Sequence, residues 1–263
     1  MIVALIRTAM KFELYKGKHF FIWGGGHGIG LALVKELLAR FPEAKVFSSY
    51  RDEQRSKELI DLSYSLKDRL EIFRIDPVNE SELFDLAVDL KSLHMEIDLF
   101  INCIGLLHNE EFQPEKSLRS VSMDQFMETF KVNSVVTALI AKHFERLLPS
   151  KTPSAFIVLS ARVGSIGDNK MGGWYSYRAS KAALNMILQN IAVEFKRKRL
   201  QCLVAPIHPG TTKTDLSAPF IENTKYRLHE AEESAFNILN QIDNRSIEET
   251  GSFLSWDGEN IAW

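Results

Sequence analysis

The chain has 263 residues, a formal net charge of −2 and 45% hydrophobic residues, enough for one large α/β domain with a substantial core. No basic or acidic block runs through it, which argues against nucleic acid and anionic membrane surfaces as partners. Two cysteines, Cys103 and Cys202, stand far apart without metal-ligand spacing, so no metal site is expected and a reducing, cytoplasmic compartment is the simplest reading.

The opening run 1–7 is too short for a signal peptide, and no stretch approaches the roughly 20 apolar residues of a membrane span. Met10 is an alternative start, because organised sequence begins near Lys18. Residues 1–17 are therefore expected to be an N-terminal extension and 18–263 a single domain.

Residues 19–23 form an apolar run that reads as a buried strand. The run ends in Gly24-Gly25-Gly26-His27-Gly28-Ile29-Gly30, and apolar residues at 31, 34, 37, 38 and 41 give the next stretch helical periodicity. Strand, glycine loop and helix in this order let backbone N–H groups and a helix N-terminus cradle a phosphate. The spacing is Gly-x3-Gly-x-Gly, not the commoner Gly-x-Gly-x2-Gly. Residues 44–50 read as the second strand. About 20 positions past the glycines, where NAD-binding folds place a ribose-binding carboxylate, stand Tyr50 and Arg51. A guanidinium there suits a 2′-phosphate better than a bare hydroxyl, which favours NADP(H), with His27 as a further donor. Asp52, next in line, keeps NAD(H) possible.

Residues 69–75 alternate as a third strand and close on Asp76-Pro77-Val78. Asn79 then caps a helix running to about residue 94, with Glu82 three residues on as in a capping box. Residues 97–102 read as a fourth strand, followed by Cys103-Ile104-Gly105, a small loop that could pass close to a cofactor. A long helical stretch is expected from Met123 to about Leu148. It includes Asn133, which is costly to bury without partners, so its side chain or a local break in the helix is expected to do something specific. Residues 154–160 and 201–206 read as the fifth and sixth strands, with a long helix between them ending near Lys198. An apolar helix at about 228–241 and a short strand around 252–256 finish the chain. This alternation implies an α/β, single-domain Rossmann fold: a doubly wound parallel sheet of about seven strands with helices on both faces.

On the helix that ends near Lys198, Tyr177 and Lys181 are four apart and share one face. A tyrosine with its pKa near ~10 is a poor acid or base at neutral pH. An ammonium beside it favours the phenolate and lowers that pKa, making Tyr177 a candidate general acid/base.

Together these pieces resemble the short-chain dehydrogenase/reductase family over about 18–263. The glycine loop is similar to the family's turn, although Trp23 stands where Thr is usual. The resemblance implies that Asp76, with Pro77, approaches the adenine ring. Asn102-Cys103-Ile104-Gly105 resembles the family's Asn-Asn-Ala-Gly segment, Asn133 falls at its catalytic Asn, and Tyr177 and Lys181 fall at its Tyr-x3-Lys. Pro209-Gly210, with Thr212 and Thr214, resembles the segment that folds over the nicotinamide. The runs 162–169, 172–181 and 215–220, and the ending 256–263, resemble the C-factor-like (cell–cell signalling) branch, whose members are mainly NADP-type oxidoreductases of ill-defined substrate.

One departure stands out. The family's catalytic Ser usually precedes x-x-Gly at the end of the fifth strand, and here Ala161 precedes Arg162-Val163-Gly164. Ser160 would face the opposite way on a regular strand unless a bulge re-aims it, and Ser165 is a second substitute. The resemblance implies NADP(H)-dependent interconversion of a carbonyl and an alcohol on a small, partly hydrophobic substrate. Tyr177 would protonate the alkoxide, and Lys181 would lower the tyrosine pKa and bond the nicotinamide ribose. Asn133 would position a water, and Ser160 would orient the substrate in a pocket lined by Leu216, Pro219 and Phe220. Ala161 leaves open a dinucleotide-binding signalling or scaffold protein with weak or lost catalysis. By analogy, helices at about 123–148 and 176–198 pair across a two-fold axis, giving a homodimer or homotetramer.

Overall fold

An unbroken apolar strand needs cover on both faces, and β1 (His19–Trp23) has it: Phe20, Phe21, Ile22 and Trp23 are all fully buried. The computed structural model describes residues 18–149, 151–222, 224 and 226–263, so the expected extension over 1–17 lies outside the described residues. The other strands are β2 (Lys45–Tyr50), β3 (Leu70–Arg74), β4 (Leu99–Asn102), β5 (Ser154–Leu159), β6 (Cys202–His208), β7 (Thr211–Thr212), β8 (Leu228–His229) and β9 (Leu254–Ser255). Seven of them form one parallel sheet in the order β3-β2-β1-β4-β5-β6-β9, while β7 and β8 make a separate parallel pair. The helices are α1 (Gly28–Arg40), α2 (Lys57–Ser65), α3 (Glu80–Ser92), α4 (Met123–Phe130), α5 (Val136–Phe144), α6 (Tyr175–Arg197) and α7 (Ala231–Asp243).

Successive β1 residues point to opposite faces, and the two faces bury different helices. Phe20 and Ile22 join Leu33 and Leu37 of α1 and Ile238 and Leu239 of α7. Phe21 and Trp23 join Leu83 of α3, Phe144 of α5 and Leu188 of α6. Phe21 is the hub of that second core, with ring centroids 4.6 Å from Trp23, 5.9 Å from Phe100 and 5.7 Å from Phe144. Trp23, in the position where the family resemblance leads one to expect Thr, fills core volume; its indole N–H has no partner among the described residues.

Three local expectations are corrected, and one element is added. The single helix from 123 to 148 is instead α4, a π-turn over Lys131–Val135, α5 and a 3₁₀ turn over Glu145–Leu147. Glu82 does not close a capping box on Asn79: its carboxylate accepts from the Asp76 N–H and the Asn79 side chain, so it ties the end of β3 to α3. Leu228 and His229 are not helical, because they pair with Thr211 and Thr212 and α7 begins only at Ala231. The short helix α2, which buries Leu59 alone, is an element the sequence reading does not include.

Strand order reverses between β1 and β4, and such a switch point opens a crevice beyond the carboxyl ends of the strands. Trp23 and Asn102 are in register there, and Cys103 N–H donates to the Trp23 carbonyl at 2.9 Å, so the glycine turn and the loop after β4 emerge side by side. No described helix is long and apolar enough to cross a membrane. Because Phe21 makes the central ring contacts of one core, Phe21→Ala is expected to cost about 3–5 kcal/mol. Urea unfolding should show the midpoint drop with an unchanged slope.

Candidate active site

The glycine turn owes its shape to close approach. A Cβ on Gly30 would lie 2.1 Å from the Gly24 carbonyl oxygen, so only glycine lets α1 start directly against β1. His27 is the N-cap of α1 but its side chain caps nothing, and the first turn has no acidic residue. The early N–H groups of α1 are thus left for an anion, which the helix dipole also favours. Gly24 N–H donates to the Ser49 hydroxyl at 3.1 Å, which anchors the turn to β2. Around it stand Ile104, 3.2 Å from the position of a Gly24 Cβ, and Thr214, 3.3 Å from that of a Gly28 Cβ. Tyr50 Cβ borders Gly26, and Arg51 is exposed at the end of β2. Partial burial, then the Arg55 guanidinium, hold the His27 imidazole below its ordinary pKa. At the end of β3 the Asp76 carboxylate accepts from Val78 N–H across Pro77. The residues fit a dinucleotide: a bare helix N-terminus for the diphosphate and a basic edge beside the ribose.

A buried polar network holds the other wall. Asn133 lies in the π-turn, and its amide is fully used: Oδ1 accepts from Leu106 N–H at 2.7 Å, and Nδ2 donates to Leu106 O at 2.8 Å and Ser180 Oγ at 3.0 Å. Ser180 Oγ in turn donates to the Tyr177 carbonyl, and Ser134 Oγ donates to the Ser180 carbonyl. Both halves of the expectation for Asn133, an engaged side chain and a broken helix, are therefore found together. Asn102 is also satisfied, donating to Thr137 and accepting from Ile104 N–H.

On α6, Tyr177 and Lys181 are both buried. Lys181 Nζ donates to the Leu159 carbonyl at 2.9 Å and sits 5.9 Å from the centre of the Tyr177 ring. It also lies 3.7 Å from the position of a Gly105 Cβ, with Asn133 Oδ1 and Leu216 close by, so these residues converge. Gly164 is required because a Cβ there would meet Lys181 Cβ at 2.8 Å. The expected lowering of the tyrosine pKa is corrected: burial pushes the Tyr177 phenol above its ordinary value. Desolvation also brings Lys181 down to about 8, and burial pushes the Cys103 thiol up against the pull of Lys181.

Two other expected residues are turned away. Ser160 N–H stays in register with Ile207 and Ala161 is fully extended, so no bulge re-aims the strand. The Ser160 hydroxyl donates to Asn185 Oδ1 at 2.7 Å inside the fold. Ser165 is buried, with its hydroxyl accepting from Asp168 N–H. Thr212 Oγ1 is within 2.7 Å of Ser234 Oγ on α7, whereas Thr214 faces the glycine turn. Gly210, at φ 81°, follows Pro209 and carries the chain past His229.

The open side of Tyr177 is aromatic. Trp174, in a left-handed conformation at φ 51°, lies 6.1 Å from the Tyr177 ring and 5.1 Å from Phe220; His108 is 5.6 Å from Phe220. Glu115 is buried, and its carboxylate accepts from Ser176 N–H at 3.1 Å, completing the start of α6 from about 60 residues upstream. Neither Trp174 nor Glu115 was legible as a site residue, since neither has a local sequence signal.

A parallel, doubly wound sheet with a glycine turn at its switch point and a tyrosine–lysine pair beside it defines a nucleotide-dependent oxidoreductase. The short chain dehydrogenase family matches residues 18–225, and the chain belongs to that family. An uncharacterized oxidoreductase of Schizosaccharomyces pombe is 29% identical over 252 residues, covering 92% of this chain and 96% of the relative. The structure of an NADPH-bound carbonyl reductase from chicken fatty liver superposes with a TM-score of 0.83 at 25% identity, covering 98% of this chain and 97% of that one. The C-signal of Myxococcus xanthus is 30% identical, but over 105 residues only, 40% of this chain and 58% of the relative.

The buried ammonium fixes a pH signature. Lys181 titrates near 8 when folded and at 10.5 as a free side chain. Between those values the unfolded chain holds a proton that the folded chain has lost, so stability contributed by this residue rises with pH across the window. At pH 7, Lys181→Met is expected to stabilise the fold by up to about 3 kcal/mol, less the lost Leu159 bond. The advantage should shrink toward about pH 9.5; thermal melts of both proteins at the two pH values check it.

Proposed function

We propose that this chain is an NADP(H)-dependent short-chain oxidoreductase that interconverts a carbonyl and an alcohol on a small, partly hydrophobic substrate. The observation behind the proposal is the convergence of Tyr177, Lys181 and Gly105 beside the uncapped N-terminus of α1. The resemblance to an NADPH-bound carbonyl reductase supports the same reading. When bound, the reduced nicotinamide supplies the hydride. Tyr177 holds the proton for the developing alkoxide, and burial keeps that phenol protonated at neutral pH, which suits reduction. Lys181, poised near neutrality, steers the ribose and relays the proton. Asn133 acts as a positioning residue, because its amide is spent on Leu106 and Ser180. Trp174 and Phe220 wall the substrate side, with Leu216 at the inner end and His108 behind Phe220.

Ala161 favours a second reading, a dinucleotide-binding signalling or scaffold protein with weak or lost catalysis, because the Ser160 O–H is spent on Asn185 and Ser165 is buried against Asp168 N–H. The partial likeness to C-signal supports placing the chain near that branch. Exposed Met123 and Met127 on α4, Val135 in the π-turn and Met186 on α6 support two-fold pairing of these helices into a dimer or larger assembly.

Tyr177→Phe is expected to lower NADPH-dependent reduction of a carbonyl panel by about 10²-fold or more while nucleotide binding persists. Ala161→Ser is expected to raise turnover by roughly 10–10²-fold by restoring a donor to the reacting oxygen. Wild-type turnover unaffected by Tyr177→Phe counts against the enzymatic reading. Tight NADPH binding with no turnover, before or after Ala161→Ser, supports the second.

A further inference from the structure

The loops after β2 and β7 border the glycine turn, and one ion pair joins them. Arg55 Nη2 lies 2.7 Å from Asp215 Oδ2, across 160 residues of sequence. Both loops touch the turn itself. Ser56, next to Arg55, has its hydroxyl 2.1 Å from where a Gly26 Cβ would be, and Thr214, next to Asp215, borders Gly28. His27 between these glycines feels both members of the pair, together with Arg51 and Asp52.

An ion pair this exposed adds little to stability, so a stabilising role does not account for its long reach. Two neighbouring charges have partners within their own segment of the sheet edge. Arg74 is paired with Glu53 at 2.8 Å. The Asp52 carboxylate, the acid best placed to serve a bare ribose hydroxyl, accepts from the backbone N–H of Arg55 at 2.9 Å and is held below the usual carboxylate range. The turn that occupies Asp52 also presents the Arg55 side chain toward the glycine loop.

We propose that Arg55 is a second reader of the cofactor's 2′-phosphate, held at the glycine turn by Asp215, so that selection of NADP(H) rests on Arg51, Arg55 and His27 together. A guanidinium tethered through one N–H keeps further donors for a phosphate, and its planar fork suits that geometry. The inference rests on the NADP(H) reading above.

The test is a set of dissociation constants for NADPH, NADH, 2′,5′-ADP and 5′-AMP, measured on the full chain by tryptophan fluorescence. Wild type is expected to prefer NADPH. Arg55→Met should weaken NADPH and 2′,5′-ADP by about tenfold or more and leave NADH and 5′-AMP within about twofold. Arg55→Lys should retain part of the preference. Asp215→Asn should weaken NADPH a few-fold without changing NADH, as expected for a residue that positions Arg55. Unchanged melting temperatures confirm that the variants are folded. Equal loss for both cofactors, or no loss while wild type still prefers NADPH, overturns the role of Arg55. NADPH tightened by Asp215→Asn overturns the positioning role, since Asp215 would then be a competitor. A wild-type chain that prefers NADH overturns the NADP(H) reading itself, and the inference with it.

Discussion

The site depends on one buried amide. Asn133 satisfies both its donors and its acceptor on groups from the loop after β4 and from α6, and a buried amide has few other ways to avoid the cost of desolvation. Its reach to Leu106 is made from a π-turn, where the local helix geometry is widened. Ser134 in the same turn holds the Ser180 carbonyl. Three separate elements are thereby fixed against each other beside the crevice. Tyr177, Lys181 and Gly105 keep their relative positions because of that network, and none of them could hold such positions through apolar packing alone.

The same burial sets the electrostatics. Among the described residues Lys181 donates to the Leu159 carbonyl at the end of β5, and burial disfavours its charge. Tyr177, four residues away, feels the same desolvation with the opposite sign on its pKa. Burial thus raises the phenol and lowers the ammonium side by side, the arrangement on which the proposed proton-donor role of Tyr177 rests. At the other end of the crevice the charges are exposed and paired, so they act on approach and selection of a charged ligand more than on stability.

Ala161 sits on an otherwise intact frame. The strand continues in register to Ser160, Gly164 still allows the chain to approach Lys181, and α6 still begins on the buried Glu115 carboxylate. Under the proposed function, Ala161 would withhold one donor from the reacting oxygen while leaving the positions of Tyr177 and Lys181 undisturbed. The ring contact of Trp174 with Phe220 is likewise independent of residue 161.

The sequence by itself determined the sheet, the family frame and the helix that carries Tyr177 and Lys181. Apolar runs at 19–23, 97–102 and 154–160 cannot be exposed, glycines at fixed spacing demand close backbone approach, and a four-residue spacing puts Tyr177 and Lys181 on one face; each of these is a local rule. Tertiary structure decided whatever depends on partners distant in the chain. The direction of the Ser160 hydroxyl follows from Asn185, the break at Asn133 from Leu106 and Ser180, the late start of α7 from Thr211 and Thr212, and the setting of Arg55 from Asp215. The pKa of Tyr177 belongs to the same group: proximity of a lysine was legible, but the balance between its field and desolvation is set by how deeply both side chains are buried, which only the packed fold fixes.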